Sequence, residues 1–217
     1  MRLRNVPGSQ EHIAASPYCE TEPEKRKGSW QAFFGQEAPL YLEIGCGKGR
    51  FLAEHAGRSP QINFLGIEKY TNVLVKAVQK QEALLYPNLR FARMDAEVLE
   101  EVFAPGEVAR IYLNFSDPWP KARHANRRLP SAAFLRRYGH ILVPGGEVEF
   151  KTDDTALFDF ALEELPRAEW EAEEICRDLH AREDLLADNC MTEYETRFVG
   201  MGKPICYLRM HRKRGDI

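Results

Sequence analysis

The stretch Leu40-Tyr41-Leu42-Glu43-Ile44-Gly45-Cys46-Gly47-Lys48-Gly49-Arg50-Phe51-Leu52 decides the fold. A short apolar run (40–45) enters a glycine-rich turn, and a helical pattern (50–56) leaves it. The same alternation continues downstream. Strands are expected over 63–68, 89–94, 110–115 and 147–151, separated by helices over 70–85, 96–103 and 131–142, with Pro144-Gly145-Gly146 as a turn before the last strand. A helix follows over 155–165, then a long strand over 169–179, a helix over 193–199 and a final strand over 205–210. Strands alternating with helices at this spacing build βαβ units, so the expected class is α/β: a mostly parallel sheet with helices on both faces. The last two strands have no long crossover helix between them, which predicts an antiparallel hairpin at the sheet edge. Upstream, Pro7, Pro17 and Pro23 break any long helix and Pro39 closes the segment. Residues 1–38 are therefore read as an irregular N-terminal arm with a short helix near 30–34, and residues 39–217 as one domain.

The 217 residues are 44% hydrophobic and 29% charged, enough for a sizeable core and unlike disordered or collagenous chains. No apolar run approaches the ~18 residues of a membrane span, and no apolar segment follows the basic start of the chain. A soluble, cytoplasmic protein is the expectation. The five cysteines form no C-x-x-C pair and the six histidines no H-x-x-x-H pair, so neither a disulfide framework nor a metal site is expected. Net charge is −3, but its distribution is uneven. From Pro118 to Gly146 there are six Lys or Arg (Lys121, Arg123, Arg127, Arg128, Arg136, Arg137) and no acid. From Glu147 to Glu195 there are 17 acids against four basic residues, and Arg209, Arg212, Lys213 and Arg214 turn the end basic again. A local basic surface within an acidic chain points to a polyanionic partner met at one place.

Open α/β sheets bind ligands at the carboxyl ends of their strands. Each of the first four strand ends carries an acid: Glu43, Glu68, Asp95 and Asp117. The glycine spacing, Gly45-x-Gly47-x-Gly49, is not the G-x-G-x-x-G of dinucleotide sites, and Glu43 would repel a pyrophosphate. A ligand with cationic groups, a ribose diol and no phosphate suits this set, and S-adenosylmethionine has all three. Glu68 lies 19 residues after Gly49, where an acid accepts both ribose hydroxyls, and Asp95 can accept from the adenine amino group. Further on, Asn114-Phe115-Ser116-Asp117-Pro118-Trp119-Pro120-Lys121 is continued by a basic loop beside the donor site, placed to hold phosphates while a base enters.

Together with Lys151-Thr152-Asp153 and Thr192-Glu193-Tyr194-Glu195, these motifs make residues 40–210 closely resemble the bacterial tRNA (guanine-N7)-methyltransferases. The resemblance implies a Rossmann-like class I methyltransferase fold, with a seven-stranded, mostly parallel sheet ending in an antiparallel edge hairpin. It also implies methyl transfer from S-adenosylmethionine to N7 of the guanosine at nucleotide forty-six, in the variable loop of tRNA. By motif, Glu43, Gly45, Gly47, Glu68, Asp95 and Asp117 correspond to donor-binding positions. Lys121, Asp153, Thr192, Glu193, Tyr194 and Glu195 correspond to substrate-binding positions, and Arg123, His124, Ala125, Asn126, Arg127 and Arg128 to an RNA-contacting loop. The family contains monomers and homodimers. Asp117 is the expected catalytic residue, stabilising charge on the methylated ring, with a general-base role ranked second because N7 has no proton to lose. Trp119 between two prolines either packs the turn, the favoured reading, or stacks on the base. Asp153 either binds substrate or caps the helix that follows. A methyltransferase of another RNA or a small molecule is the main alternative, a non-catalytic RNA-binding module and an NAD-linked oxidoreductase being disfavoured. The basic loop 121–128 argues for RNA.

Overall fold

Apolar runs of five to seven residues in strands, separated by amphipathic helices, can only be buried on both faces if the strands lie parallel under the helices. The computed structural model, which describes residues 6–213, has this arrangement. Residues 1–5 of the expected arm and Arg214 of the basic end lie outside the described residues. In chain order the elements are α1 (Ser9–Ala15), β1 (Cys19–Glu20), α2 (Trp30–Phe34), β2 (Leu40–Ile44), α3 (Arg50–Arg58), β3 (Asn63–Glu68), α4 (Thr71–Leu84), β4 (Leu89–Arg93), α5 (Leu99–Val102) and β5 (Val108–Asn114). They continue with α6 (Ala132–Ile141), β6 (Leu142–Thr152), α7 (Thr155–Glu164), β7 (Trp170–Cys176), α8 (Glu183–Leu186), α9 (Glu193–Val199) and β8 (Cys206–Arg212).

The sheet runs in the order β1-β4-β3-β2-β5-β6-β8-β7, parallel except for β8, which pairs antiparallel with both β6 and β7. The expected edge hairpin is therefore present. Strand order reverses at β2, flanked by β3 and β5, which opens a crevice at the carboxyl ends of β2 and β5. One core layer packs Leu42, Ile44, Leu65, Ile67, Ile111 and Leu113 beneath Trp30, Phe103, Leu135 and Phe158, and the other packs Phe64, Phe91 and Tyr112 beneath Phe51, Leu52, Leu74 and Val78.

Four expectations are corrected. The sheet has eight strands instead of seven, because Cys19 and Glu20 pair with Phe91 and Ala92 and extend its edge. The lead-in is accordingly not irregular over its described part: Ile13 and Trp30 are fully buried, and Trp30 donates from Nε1 to the Val102 carbonyl and stacks on Phe103. The expected helix at Trp30–Phe34 is present as α2. Pro144-Gly145-Gly146 lies inside β6 as a bulge, since Leu142 already pairs with Val108 before the register shifts to Arg110 opposite Glu147. The strand expected over 169–179 stops at Cys176, because Leu179 turns inward to pack with Cys176, Ile205 and Tyr207 and its N–H donates to the Ile205 carbonyl. The two sheet edges are thus the two-residue β1 and the longer β7, which leaves Glu171, Glu173 and Ile175 exposed.

All five cysteines are free and buried. Among the described residues no helix is long and apolar enough to cross a membrane, and no cluster of three or more His, Cys, Asp or Glu could hold a metal ion.

Candidate active site

The four acids of the sequence motifs stand at the ends of β4, β3, β2 and β5, which are neighbours in that order, so the topology sets them in one row. The centre of the row is the turn after β2. Its path is fixed by the N–H groups of Gly45 and Cys46, which both donate to the Ile67 carbonyl at 2.9 and 3.1 Å. Gly45 and Gly47 have φ of 76° and 57°, and a Cβ on either would point into open space, so the turn is an open cradle. Gly49 (φ 69°) does the opposite: a Cβ there would lie 2.9 Å from Ala77 Cβ, so only glycine lets α3 close against α4.

Glu43 is 2% exposed. Its Oε1 accepts from Asn114 Nδ2 at 2.8 Å, whereas Oε2 is buried with no partner. Burial drives its pKa up to about 8; the Asn114 hydrogen bond and the Lys151 charge pull against this, and the charges of Glu193 and Glu68 add to it. A buried carboxyl oxygen without a partner is costly unless something completes it. Beside an open glycine turn, a cationic or N–H-bearing ligand group fits, and a phosphate does not.

Glu68 is half-buried, and its Oε1 accepts from the Tyr70 N–H at 2.9 Å. Burial raises its pKa, opposed by the N–H groups of Tyr70, Gly47 and Lys69, so it too borders the glycine turn. Asp95 caps the turn that follows it, Oδ1 accepting from the Glu97 N–H at 3.1 Å, while Oδ2 pairs with Lys69 Nζ at 3.1 Å. Asp117 is exposed beyond β5 and has no hydrogen-bond or ion-pair partner among the described residues. Its turn is contorted: Phe115 and Trp119 have φ of 52° and 43°, a region costly for bulky residues.

The basic loop forms a 3₁₀ turn over Ala122–Arg127. None of Lys121, Arg123, Arg127, Arg128, Arg136 and Arg137 has an acidic partner among the described residues, whereas all four basic residues of the acidic stretch do: Lys151, Arg167, Arg177 and Arg182. Arg128 is committed within the fold, donating to the Trp119 carbonyl from Nε and Nη2 (3.3 and 3.0 Å) and lying 4.4 Å above the Phe160 ring. Arg127 lies 5.2 Å over Trp119 and His124 meets the edge of the same indole, so Trp119 packs the turn. Lys121, Arg123, Asn126 and Arg127 are exposed, with His124 and Ala125 partly so.

The Thr192–Glu195 segment divides. Thr192 caps α9 by accepting from the Glu195 N–H at 2.9 Å, and Glu195 is fully buried. Glu195 Oε2 receives Lys151 Nζ at 2.7 Å, and its Oε1 lies 2.7 Å from Asn189 Nδ2 and 3.0 Å from His180 Nε2. Both residues, expected to bind substrate, therefore face inward, and only Glu193 and Tyr194 face solvent. Lys80 Nζ lies 3.9 Å from Glu193, and Arg50 Nη1 donates to Thr196 Oγ1 at 3.3 Å, so α9 bridges to the helices behind the glycine turn. Asp153 pairs with Lys203 Nζ at 2.9 Å, and it is Asp154 that caps α7 through the Leu157 N–H.

Sequence reasoning gave no role to Asn114, Lys151, His180 or Asn189. One of them carried a legible signal: Lys151 is the one cation of a strand that also carries Glu147 and Glu149, whereas Asn114 meets Glu43 only because β5 pairs with β2. His180 and Asn189 reach the site only through tertiary folding.

A family model described as "Putative methyltransferase" matches residues 37–208. The chain is 50% identical to the tRNA (guanine-N(7)-)-methyltransferase of Lachnoclostridium phytofermentans over 99% of this chain and 100% of that protein. It is 47% identical to the Brevibacillus brevis protein of the same name over 94% of this chain and 95% of that one. Among solved structures, the 16S rRNA methyltransferase KamB superposes with a TM-score of 0.64 at 14% identity, covering 84% of this chain and 91% of that one, a likeness of fold alone.

Proposed function

The chain belongs to the tRNA (guanine-N7)-methyltransferase family, and from that premise we propose that it methylates N7 of the guanosine at nucleotide forty-six of tRNA, in the cytoplasm, with S-adenosylmethionine as donor. The observation that carries the donor's identity is the unpartnered, buried Glu43 Oε2 beside the open glycine turn. When bound, S-adenosylmethionine supplies an electrophilic methyl group on a positively charged sulfur. Glu43 holds the ammonium through Oε2, with Asn114 fixing the carboxyl from the other side. Gly45 and Gly47 leave room for the donor's body, Glu68 accepts the ribose hydroxyls, and Asp95 accepts from the adenine amino group.

Guanine N7 bears a free lone pair at neutral pH, so this chain's residues need only align it with the methyl carbon, which is catalysis by proximity and orientation. As the N7–methyl bond forms the sulfur–methyl bond would break, its electron pair returning to sulfur, so that positive charge passes from sulfur to the purine and a neutral thioether, S-adenosylhomocysteine, leaves. Asp117, exposed at the head of the β5 turn, stabilises that charge and accepts from the N–H groups of the ring. Lys121 and Asp153 hold the base from either side, and Arg123 and Arg127 take phosphates. The basic residues without acidic partners favour RNA over a small molecule as acceptor.

Incubation with methyl-labelled S-adenosylmethionine and unmodified bulk tRNA, followed by nucleoside digestion, should give 7-methylguanosine. Asp117→Ala should lower kcat by about 10²–10³, as for loss of one preorganised electrostatic group, and Asp117→Asn by less. A different methylated nucleoside, or transfer that ignores tRNA, overturns the reading.

A further inference from the structure

The turn that carries Asp117 has little backbone pairing of its own. Residues 116–120 read Ser-Asp-Pro-Trp-Pro, and neither proline has an N–H to donate. On one side the Phe115 N–H is held by the Lys151 carbonyl at 2.8 Å, and on the other the Lys121 carbonyl accepts from the His124 N–H at 2.9 Å. Between them, among the described residues, 116–120 make no backbone–backbone hydrogen bond. Trp119 also sits in the left-handed region at φ 43°, a conformation that persists where neighbours impose it. The hydrogen bonds that reach this stretch come from one side chain: Arg128 donates from Nε and Nη2 to the Trp119 carbonyl at 3.3 and 3.0 Å. Its guanidinium lies 4.4 Å above the ring of Phe160 in α7, and Phe160 packs against the main core. Arg128 is itself pinned, its N–H donating to the Ala125 carbonyl and its carbonyl accepting from the Ser131 N–H at the head of α6, both at 3.0 Å.

We propose that Arg128, although it belongs to the basic loop, is a positioning residue for Asp117: it fixes the Asp117 turn through the Trp119 carbonyl and acts on turnover, not on tRNA affinity. The proposal rests on the methyltransferase reading given above. A guanidinium donates from two nitrogens in one plane and stacks on a ring, which the ammonium of a lysine does not reproduce. Arg128 uses both properties within the fold, so the fork that would grip a phosphate is already committed. Arg127, one residue earlier, is exposed and has no hydrogen-bond partner among the described residues, which leaves its own fork open for RNA. Without Arg128, the turn keeps its strain at Trp119 and loses the hydrogen bonds that oppose it. Asp117 then shifts relative to the base, and a misplacement of about 1 Å lowers rate on the order of 10²-fold.

Steady-state methylation of tRNA at several salt concentrations, with acrylamide quenching of the tRNA-free protein, tests this. Arg128→Ala should lower kcat by about 10- to 100-fold while the KM for tRNA and its salt dependence stay as in the wild type. Arg128→Lys, which keeps the charge, should lose nearly as much. Arg127→Ala should do the reverse, raising KM and flattening the salt dependence by about 0.7–0.9 log units of slope. Phe160→Leu, which removes the ring under the guanidinium and leaves every charge in place, should lower kcat by less than Arg128→Ala and with the same unchanged salt slope. Trp30 and Trp170 are buried and Trp119 is not, so acrylamide quenching of tryptophan emission reports on the turn, and it should rise in Arg128→Ala. A salt slope flattened in Arg128→Ala as in Arg127→Ala makes Arg128 a phosphate contact and overturns the proposal, as does wild-type kcat or unchanged quenching in Arg128→Ala. If Arg128→Ala folds poorly, Arg128→Lys and Phe160→Leu decide, and wild-type kcat in both overturns it. All of these outcomes leave the methyltransferase reading intact, whereas failure of the wild-type protein to form 7-methylguanosine overturns both.

Discussion

Glu43 shows how a residue's chemistry can depend on its being incomplete. Its place at a strand end was legible in the sequence, and so was its hostility to phosphate. Its burial was not, because that depends on Asn114 and Tyr112 of the neighbouring strand closing over it. Read as a sequence, Glu43 is an anion, but with a pKa of about 8 the folded, ligand-free protein holds it mostly protonated at neutral pH. A cationic group binds the ionised form, so binding at pH 7 should release close to one proton. Between pH 5.5 and 7, where the donor's own amino group stays charged, affinity should rise about tenfold per pH unit. Calorimetry in buffers of different ionisation enthalpy measures both quantities; a flat affinity without proton release would sink this account. The sign for stability is opposite. Because the folded pKa lies above the unfolded value of 4.5, Glu43 favours folding most below pH 4.5 and progressively less as pH rises toward 8. Glu43→Gln should therefore raise Tm at pH 8 while weakening donor binding and abolishing its pH slope.

At the scale of elements, α9 is held from within. Thr192 and Glu195 are three residues apart and so share one side of the helix, and that side faces Lys151, Asn189 and His180. The motif Thr-x-Tyr-Glu was visible in the sequence, and its resemblance to the family implied that all four residues meet substrate; a seven-residue helix has too few turns for its inward face to be read from periodicity. The buried pair predicts an asymmetry. Lys151→Met or Glu195→Gln alone leaves its partner buried and uncompensated and should cost about 3–5 kcal/mol in denaturant unfolding. The double change Lys151→Met with Glu195→Met should cost less than either. Single-variant losses below about 1 kcal/mol would show that the pair does not anchor the helix.

For the whole molecule, the parallel sheet and the antiparallel hairpin followed from the alternation of strands and helices and from the missing crossover near the end, whereas the strand order with its reversal at β2 is set by tertiary packing that alternation does not encode. The eighth strand did not follow, because two residues carry no period and their partners lie some seventy positions on in the chain. That strand makes one edge of the sheet too short to recruit anything. The other edge, β7, is a full seven residues with free backbone donors and acceptors, and its exposed side chains are Glu171, Glu173 and Ile175. The acidity of this stretch thus acquires a purpose in the crowded life of the protein: although Glu173 pairs with Arg209 and Glu171 lies near His211, the two carboxylates still stand along the edge and repel an approaching identical strand before its hydrogen bonds can form. Glu171→Val with Glu173→Val would leave monomer stability within about 1 kcal/mol, yet it would join Ile175 in a continuous sticky ribbon. Concentrated solutions of that variant should scatter light and bind thioflavin T under conditions where the wild type stays clear, and clarity in both would mean that colloidal solubility is guarded elsewhere.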